Sequence, residues 1–275
     1  MTDTAQTPLP APQTPRRQSN WIVVSLRTII ALILREMSTR YGRSPGGYVW
    51  AILEPMGMIV ILAYGFSLLM RTPALGTSFL LFYAAGFLPF NFFQTTSKLV
   101  GSALKFSRPL LSYPAVSWID AVIGRFALNL LTSMLVFYIL ITGILTLTDA
   151  RATISVGPIL LSYALMGLLG LGIGMVNCVI SGFIPVWDSV WSIITRPLFL
   201  ASGVILIYEE LPQFAQQVLW WNPLMHLTGM MRTGFYPMYQ PEYISVEYVL
   251  MVGMPLLFFG LVFMQRYHKD ILSKT

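Results

Sequence analysis

One cysteine, Cys178, is all that 275 residues contain. That excludes an intrachain disulfide framework and a CxxC metal pair. Charge is equally scarce: charged residues make up 10% of the chain, where a soluble domain carries about 25%. Histidine occurs twice, as His226 and His268, and the topology read below sets the two on opposite sides of a membrane, so they cannot share a metal. No HExxH, no GxSxG and no Asp/Glu pair within an apolar block is present, which leaves no acid-base or metal set for catalysis. There is no GxxxxGK[ST] phosphate loop either, so the chain does not bind and hydrolyse ATP by the Walker mechanism itself. Transporters driven by an ion gradient carry ionisable residues deep in their spans. Here the apolar blocks are nearly clean of them.

What the chain has is apolar length. Hydrophobic residues supply 56% of it, gathered into blocks. A membrane helix needs about 20 mostly apolar residues to cross roughly 30 Å of hydrocarbon. Six blocks meet that need, at about 49–70, 79–98, 118–147, 156–180, 189–208 and 246–265. An all-α, polytopic membrane protein with six transmembrane helices is expected. The net charge of +6 does not point to nucleic acid, because the seventeen Lys and Arg sit at block edges. Fourteen fall on one side, and only Arg71, Arg151 and Arg232 on the other. The basic side reads as the cytoplasm, with both termini there.

Three segments do not span. Residues 1–19, rich in Pro, Thr and Gln, lack the basic start, apolar core and cleavage site of a secretory signal and read as a disordered cytoplasmic tail. Residues 20–44 read as an amphipathic helix lying along the cytoplasmic surface, with Arg27, Thr28 and Arg35 on one side and Leu26, Ile29, Ile30 and Ile33 on the other. Residues 209–241 hold two short runs broken at Asn222-Pro223, each too short to span and too apolar for a solvent loop. A re-entrant pair of short helices on the periplasmic side fits them.

Individual residues admit two readings each. Glu54-Pro55 is a structural kink or a substrate contact. Asp120 and Arg125 read as a packing or interface pair, and Gly170 and Gly174 as a GxxxG helix contact. His226 reads as a hydrogen-bonded structural residue. The aromatics Trp50, Tyr83, Phe87, Trp187, Trp191, Trp220 and Trp221 crowd near block ends. They form an interfacial belt, or they line a passage in which flat apolar faces meet the C–H faces of sugar rings.

Five strings occur in order: Arg40-Tyr41-Gly42-Arg43-Ser44-Pro45-Gly46-Gly47 running on to Trp50 and Glu54-Pro55; Arg108-Pro109-Leu110-Leu111-Ser112-Tyr113-Pro114; Phe183-Ile184-Pro185-Val186-Trp187; Arg196-Pro197-Leu198-Phe199; and Asn222-Pro223-Leu224-Met225-His226. Over roughly residues 20–275 the chain closely resembles the permease subunit of ABC type-two polysaccharide exporters, in particular the capsular-polysaccharide (KpsM-like) branch. Residues 45–275 would be the ABC type-two transmembrane domain.

The resemblance implies a homodimer, each copy docked on a separate cytoplasmic ATPase that uses ATP and Mg. It implies export of lipid-linked polysaccharide across the bacterial inner membrane, with a periplasmic adaptor and an outer-membrane exporter beyond. The loop 101–116 would carry the coupling helix, with Arg108, Leu110, Leu111 and Tyr113 against the ATPase. Arg35, Arg40 and Arg43, with Trp50 and Glu54, would stand at the cytoplasmic entrance, where the positive-inside rule alone would also place the arginines. Tyr83, Phe87, Trp187, Trp191, Trp220, Trp221, Asn222 and His226 are the channel and rim candidates. O-antigen, teichoic acid or another glycan is the alternative cargo; an ion-coupled secondary transporter is the alternative of another class.

Overall fold

Helices dominate because long apolar blocks can satisfy their backbone polar groups in lipid only within themselves. The structure is a computed structural model describing residues 21–41, 47–111, 116–148 and 152–274, the side chains of Trp21, Ile22, Val24, Arg40, Tyr41 and Lys274 excepted. Among these residues there is no strand. The helices are α1 (Trp21–Tyr41), α2 (Val49–Ser67), α3 (Phe79–Gly101), α4 (Ala103–Leu111), α5 (Trp118–Leu147), α6 (Val156–Phe183), α7 (Trp187–Ala201), α8 (Gln213–Leu219), α9 (Pro223–Thr233) and α10 (Val246–Lys274), with a 3-10 turn at Tyr208–Glu210. The chain is an all-helical polytopic membrane protein.

Four helices, α2, α5, α6 and α10, are both long and apolar enough to cross a membrane. α3 has the length, 23 residues, but its second half carries Asn91, Gln94, Thr95, Thr96 and Ser97. It is the central helix, with sixteen residues buried. α7 departs from the expected block at 189–208. It has fifteen residues, about 22 Å at 1.5 Å per residue, and then unwinds. Gly203 takes a φ of +69°, a conformation that ends a helix and that an L side chain rarely adopts.

Close packing around α6 depends on its glycines. A Cβ on Gly174 would stand 2.7 Å from the Val100 Cβ of α3, and one on Gly170 3.0 Å from the Thr96 Cβ. On another face, a Cβ on Gly172 would stand 2.9 Å from the Leu257 nitrogen of α10. The GxxxG pair therefore lets two backbones approach, as small residues do in membranes.

Helix starts follow local rules. Ser117 and Asp120 form a reciprocal capping box at α5, and Asn222 caps α9 with Pro223 in its first turn.

Asp120 and Arg125 each serve a different neighbour. Asp120 accepts from Ser117 and from the Ser25 hydroxyl of α1. Arg125 lies in a bidentate pair with Glu36 of α1, at 3.2 and 3.3 Å, and both are buried. The same guanidinium donates to the Leu99 carbonyl at 2.7 Å and the Ser102 hydroxyl at 2.9 Å, and lies 4.1 Å from the Phe106 ring centroid of α4. α1 thus sinks one side against α5, where a Cβ on Gly124 would meet Leu32 at 3.5 Å. Leu26, Ile30 and Leu34 stay exposed.

The long helices run back and forth between two ends. One end holds α4, the starts of α5 and α7 and the last turns of α6 and α10, joined by Lys105–Asp188 at 2.8 Å and by the Phe183–Tyr267 ring contact. Arg35, Lys98, Lys105, Arg108, Arg125, Arg266 and Lys269 gather toward it. The other end is closed by α8 and α9, tied to α6 by Ser155 N–H to Gly234 and by the Ser162 hydroxyl to Leu227, each at 2.8 Å.

Candidate functional site

Between α2, α3, α5, α6 and α7 lies a cleft of about 750 Å³ in which stripes of polar side chains stand among apolar ones, although the helices that form it are apolar overall. α3 contributes Asn91, Gln94, Thr95 and Lys98, which recur every three or four residues along one side of the helix. α5 contributes Asn129, Thr132 and Ser133 with the same spacing. α7 adds Trp187, Asp188, Trp191, Ser192, Thr195 and Arg196, and α2 adds Glu54. Part of this wall is fixed internally: Asn129 donates to the Thr96 hydroxyl at 2.9 Å, and the Trp187 indole N–H donates to Asn177 Oδ1 at 2.9 Å.

The chemistry is that of multiple weak hydrogen bonds beside two indole faces. Amides, hydroxyls and the cations Lys98 and Arg196 can exchange partners with a hydroxyl-rich ligand without gripping it at one point. No group of His, Cys, Asp and Glu among the described residues is arranged to hold a metal.

α7 is the loosest wall. Of its fifteen residues only Thr195 is buried. It is held mainly at its ends. Its first turn is tied by Trp187–Asn177 and Lys105–Asp188. Beyond its last turn, α9 supplies donors to the carbonyls left unpaired where the helix unwinds. Asn222 donates to Ala201 at 2.9 Å, Thr228 to Ser202 at 2.6 Å, and buried Arg232 to Val204 at 3.0 Å and Leu206 at 3.5 Å. The Arg232 guanidinium also lies 4.2 Å from the Phe82 ring centroid.

Of the residues singled out by sequence, the cleft brings together Glu54, Trp187 and Trp191. Glu54 is exposed, and α2 runs through Pro55 without ending. Trp50, one turn earlier on α2, is exposed and does not line the cleft. Tyr83 and Phe87 are buried instead in ring clusters, Tyr83 with Phe66 and Phe82, Phe87 with Phe199.

At the far end Trp220, Trp221, His226 and Tyr248 form one aromatic cluster. His226 is fully buried. Its Nδ1 accepts from the Ser245 N–H at 3.1 Å, which leaves Nε2–H to donate to the Trp220 carbonyl at 2.7 Å. Burial pushes its pKa below the usual histidine value, so it is a neutral structural residue. Asn222 caps α9 and binds the end of α7.

On α4, Ala103, Leu104 and Ser107 face inward, Leu110 and Leu111 are half-buried and Arg108 is exposed. Tyr113 lies outside the described residues. Arg35 stands 5.2 Å from the Phe106 ring centroid. Arg43 and the Arg40 side chain also lie outside the described residues.

The model of the ABC-2 type transporter family matches residues 27–236. The chain belongs to that family. Curated relatives of this ABC-2 chain include the polysialic acid transport protein KpsM of Escherichia coli, 30% identical over 246 residues, with 90% of this chain and 95% of the relative covered. The capsule polysaccharide export inner-membrane protein CtrC of Neisseria meningitidis serogroup A is 25% identical over 252 residues, covering 91% and 94%. The protein BexB of Haemophilus influenzae, which bears the same description, is 25% identical over 251 residues, again covering 91% and 94%. An ABC-2 membrane domain is a transporter component, and the cleft with its polar stripes is the feature of this chain suited to a hydrophilic cargo.

Proposed function

We propose that this chain is the transmembrane subunit of an ATP-driven exporter that moves lipid-linked capsular polysaccharide across the bacterial inner membrane. The observation that carries the reading is the set of polar stripes from α3, α5 and α7 that line a cleft inside an apolar ABC-2 bundle. The named roles of the relatives support the cargo. Two copies pair, six helices of each cross the membrane, and both termini face the cytoplasm with the basic end. α4 presents Arg108 to a separate ATPase that binds ATP and Mg, and α1 lies at the cytoplasmic surface.

α8 and α9 form the outer rim. Phe214, Val218 and Trp221 make an exposed apolar edge along and just beyond α8, suited to the outer leaflet. A periplasmic adaptor and an outer-membrane exporter carry the polymer onward.

The test is deletion with complementation. Loss of the chain should leave lipid-linked polymer inside the cell and strip it from the surface, and the wild-type gene should restore it. Unchanged surface polysaccharide in the deletion would end this reading.

A further inference from the structure

At the basic end of the cleft, one buried hydrogen-bond donor has no partner among the described residues. Asn177 of α6 lines the cleft and is only 6% exposed. Its Oδ1 accepts from the Trp187 indole, while its Nδ2 has no partner among the described residues. The orientation of the amide follows from chemistry, because an indole N–H can only donate. It must face the oxygen, which leaves the NH2 group to find an acceptor elsewhere. A buried donor left unmatched is costly, and such groups in native proteins call for a specific explanation.

The Trp187 bond uses only the oxygen of the amide and gives the nitrogen no role. The neighbour of Asn177 across the helix contact is Gly101, where an added Cβ would sit 3.6 Å from the Asn177 Cβ. Lys98, Trp187, Asp188 and Trp191 line the same cleft as Asn177. Its cover is Trp187, on the first turn of the loosely packed α7.

We infer that Asn177 is a specificity-determining residue, whose Nδ2 donates to an oxygen of the transported glycolipid once the α6–α7 junction opens, with Trp187 holding the amide in that sense. The acceptor is a sugar oxygen or a phosphate oxygen of the lipid linker. This inference rests on the exporter reading above and adds to it the atom that meets the cargo.

The test uses the complete transporter with its ATPase in lipid nanodiscs. Asn177→Asp keeps an acceptor for Trp187 and turns the free donor into a second acceptor. The expected result is at least a tenfold weaker apparent affinity for the glycolipid. Wild-type affinity in Asn177→Asp would overturn the inference, since the residue would then serve Trp187 alone.

A second comparison stands if that variant does not fold. Asn177→Leu and Trp187→Phe remove the two sides of one hydrogen bond. If the bond is the whole role they should weaken affinity equally; the inference requires Asn177→Leu to lose several-fold more, and equal losses contradict it. Two probes separate the sources of the acceptor. An oligosaccharide cut from the exported polymer should lose affinity in the variant if sugar oxygens are bound, and dodecyl phosphate if the linker phosphate is. Loss in neither arm contradicts the proposal. A wild-type complex that moves no glycolipid refutes the exporter reading, and this inference with it, and is told apart by the wild-type control.

Discussion

Removing Glu36 from under Arg125 should loosen the basic end of the molecule as a unit. Arg125 is 6% exposed and Glu36 7%, so neither charge can turn to water. In Glu36→Met the guanidinium keeps the Leu99 carbonyl and the Ser102 hydroxyl but loses its counter-charge. In Arg125→Met both of those acceptors lose their donor and the carboxylate is stranded. Stranding one partner of a buried pair costs about 3–5 kcal/mol, with Arg125→Met at the upper end because it leaves more groups unmatched. Replacing both together removes the charges and most of the desolvation problem, and apolar replacements of such pairs are often neutral or better. The double variant should therefore be more stable than either single, a coupling that a double-mutant cycle isolates.

Reversible unfolding in nanodiscs measures the cycle, and limited proteolysis at α1 gives the local readout. Each single variant should release α1 to protease and the double variant should protect it. Single variants within about 0.5 kcal/mol of wild type, the range of ordinary surface changes, would refute the reasoning.

Other perturbations give separate checks. Gly174→Val places branched atoms where a Cβ already stands 2.7 Å from Val100, so α3 and α6 should part at a cost of about 1–3 kcal/mol, visible as a lower Tm. Arg232→Lys should cost about 1–3 kcal/mol, because one ammonium cannot cover the carbonyls of both Val204 and Leu206, and hydrogen exchange at 202–207 should rise. His226 is neutral when folded, because burial holds its pKa below the ordinary histidine value of about 6.5. The unfolded chain therefore binds more protons as pH falls below that value, and stability must drop with it; a His226→Gln variant should lose that dependence. Replacing Arg108 and Tyr113 together by Ala should uncouple ATP hydrolysis from export while membrane insertion stays intact, and normal export in that variant would remove α4 from the coupling role.

Much of the fold is legible in residue order because apolar length and helix caps are local signals. The blocks behind α2, α3, α5, α6 and α10 appear as long helices, and the GxxxG pair packs as its spacing implies. The shortened α7 was not readable. Its end depends on Gly203 and on donors from Asn222, Thr228 and Arg232, contributed by α9 about twenty to thirty residues on. The partners of Asp120 and Arg125 were hidden for the same reason: Glu36 stands 89 residues before Arg125. The cleft left a signal that charge counting passes over. Asn91, Gln94, Thr95 and Lys98 form a polar stripe of helical period inside an apolar block, and Asn129, Thr132 and Ser133 form another. Tyr83 and Phe87 show the reverse case, since aromatic character alone does not distinguish a lining residue from a packed one.

Site-specific photo-cross-linking during turnover tests the path most directly. A photoreactive residue in place of Ser192 faces the cleft, and one in place of Ile61, which is 68% exposed on α2 and does not line the cleft, gives the control. With ATPase, ATP and lipid-linked polysaccharide present, the glycan should be captured at position 192 and not at 61. Capture at 61 alone, or none at 192 while export proceeds, would contradict the cleft as the route.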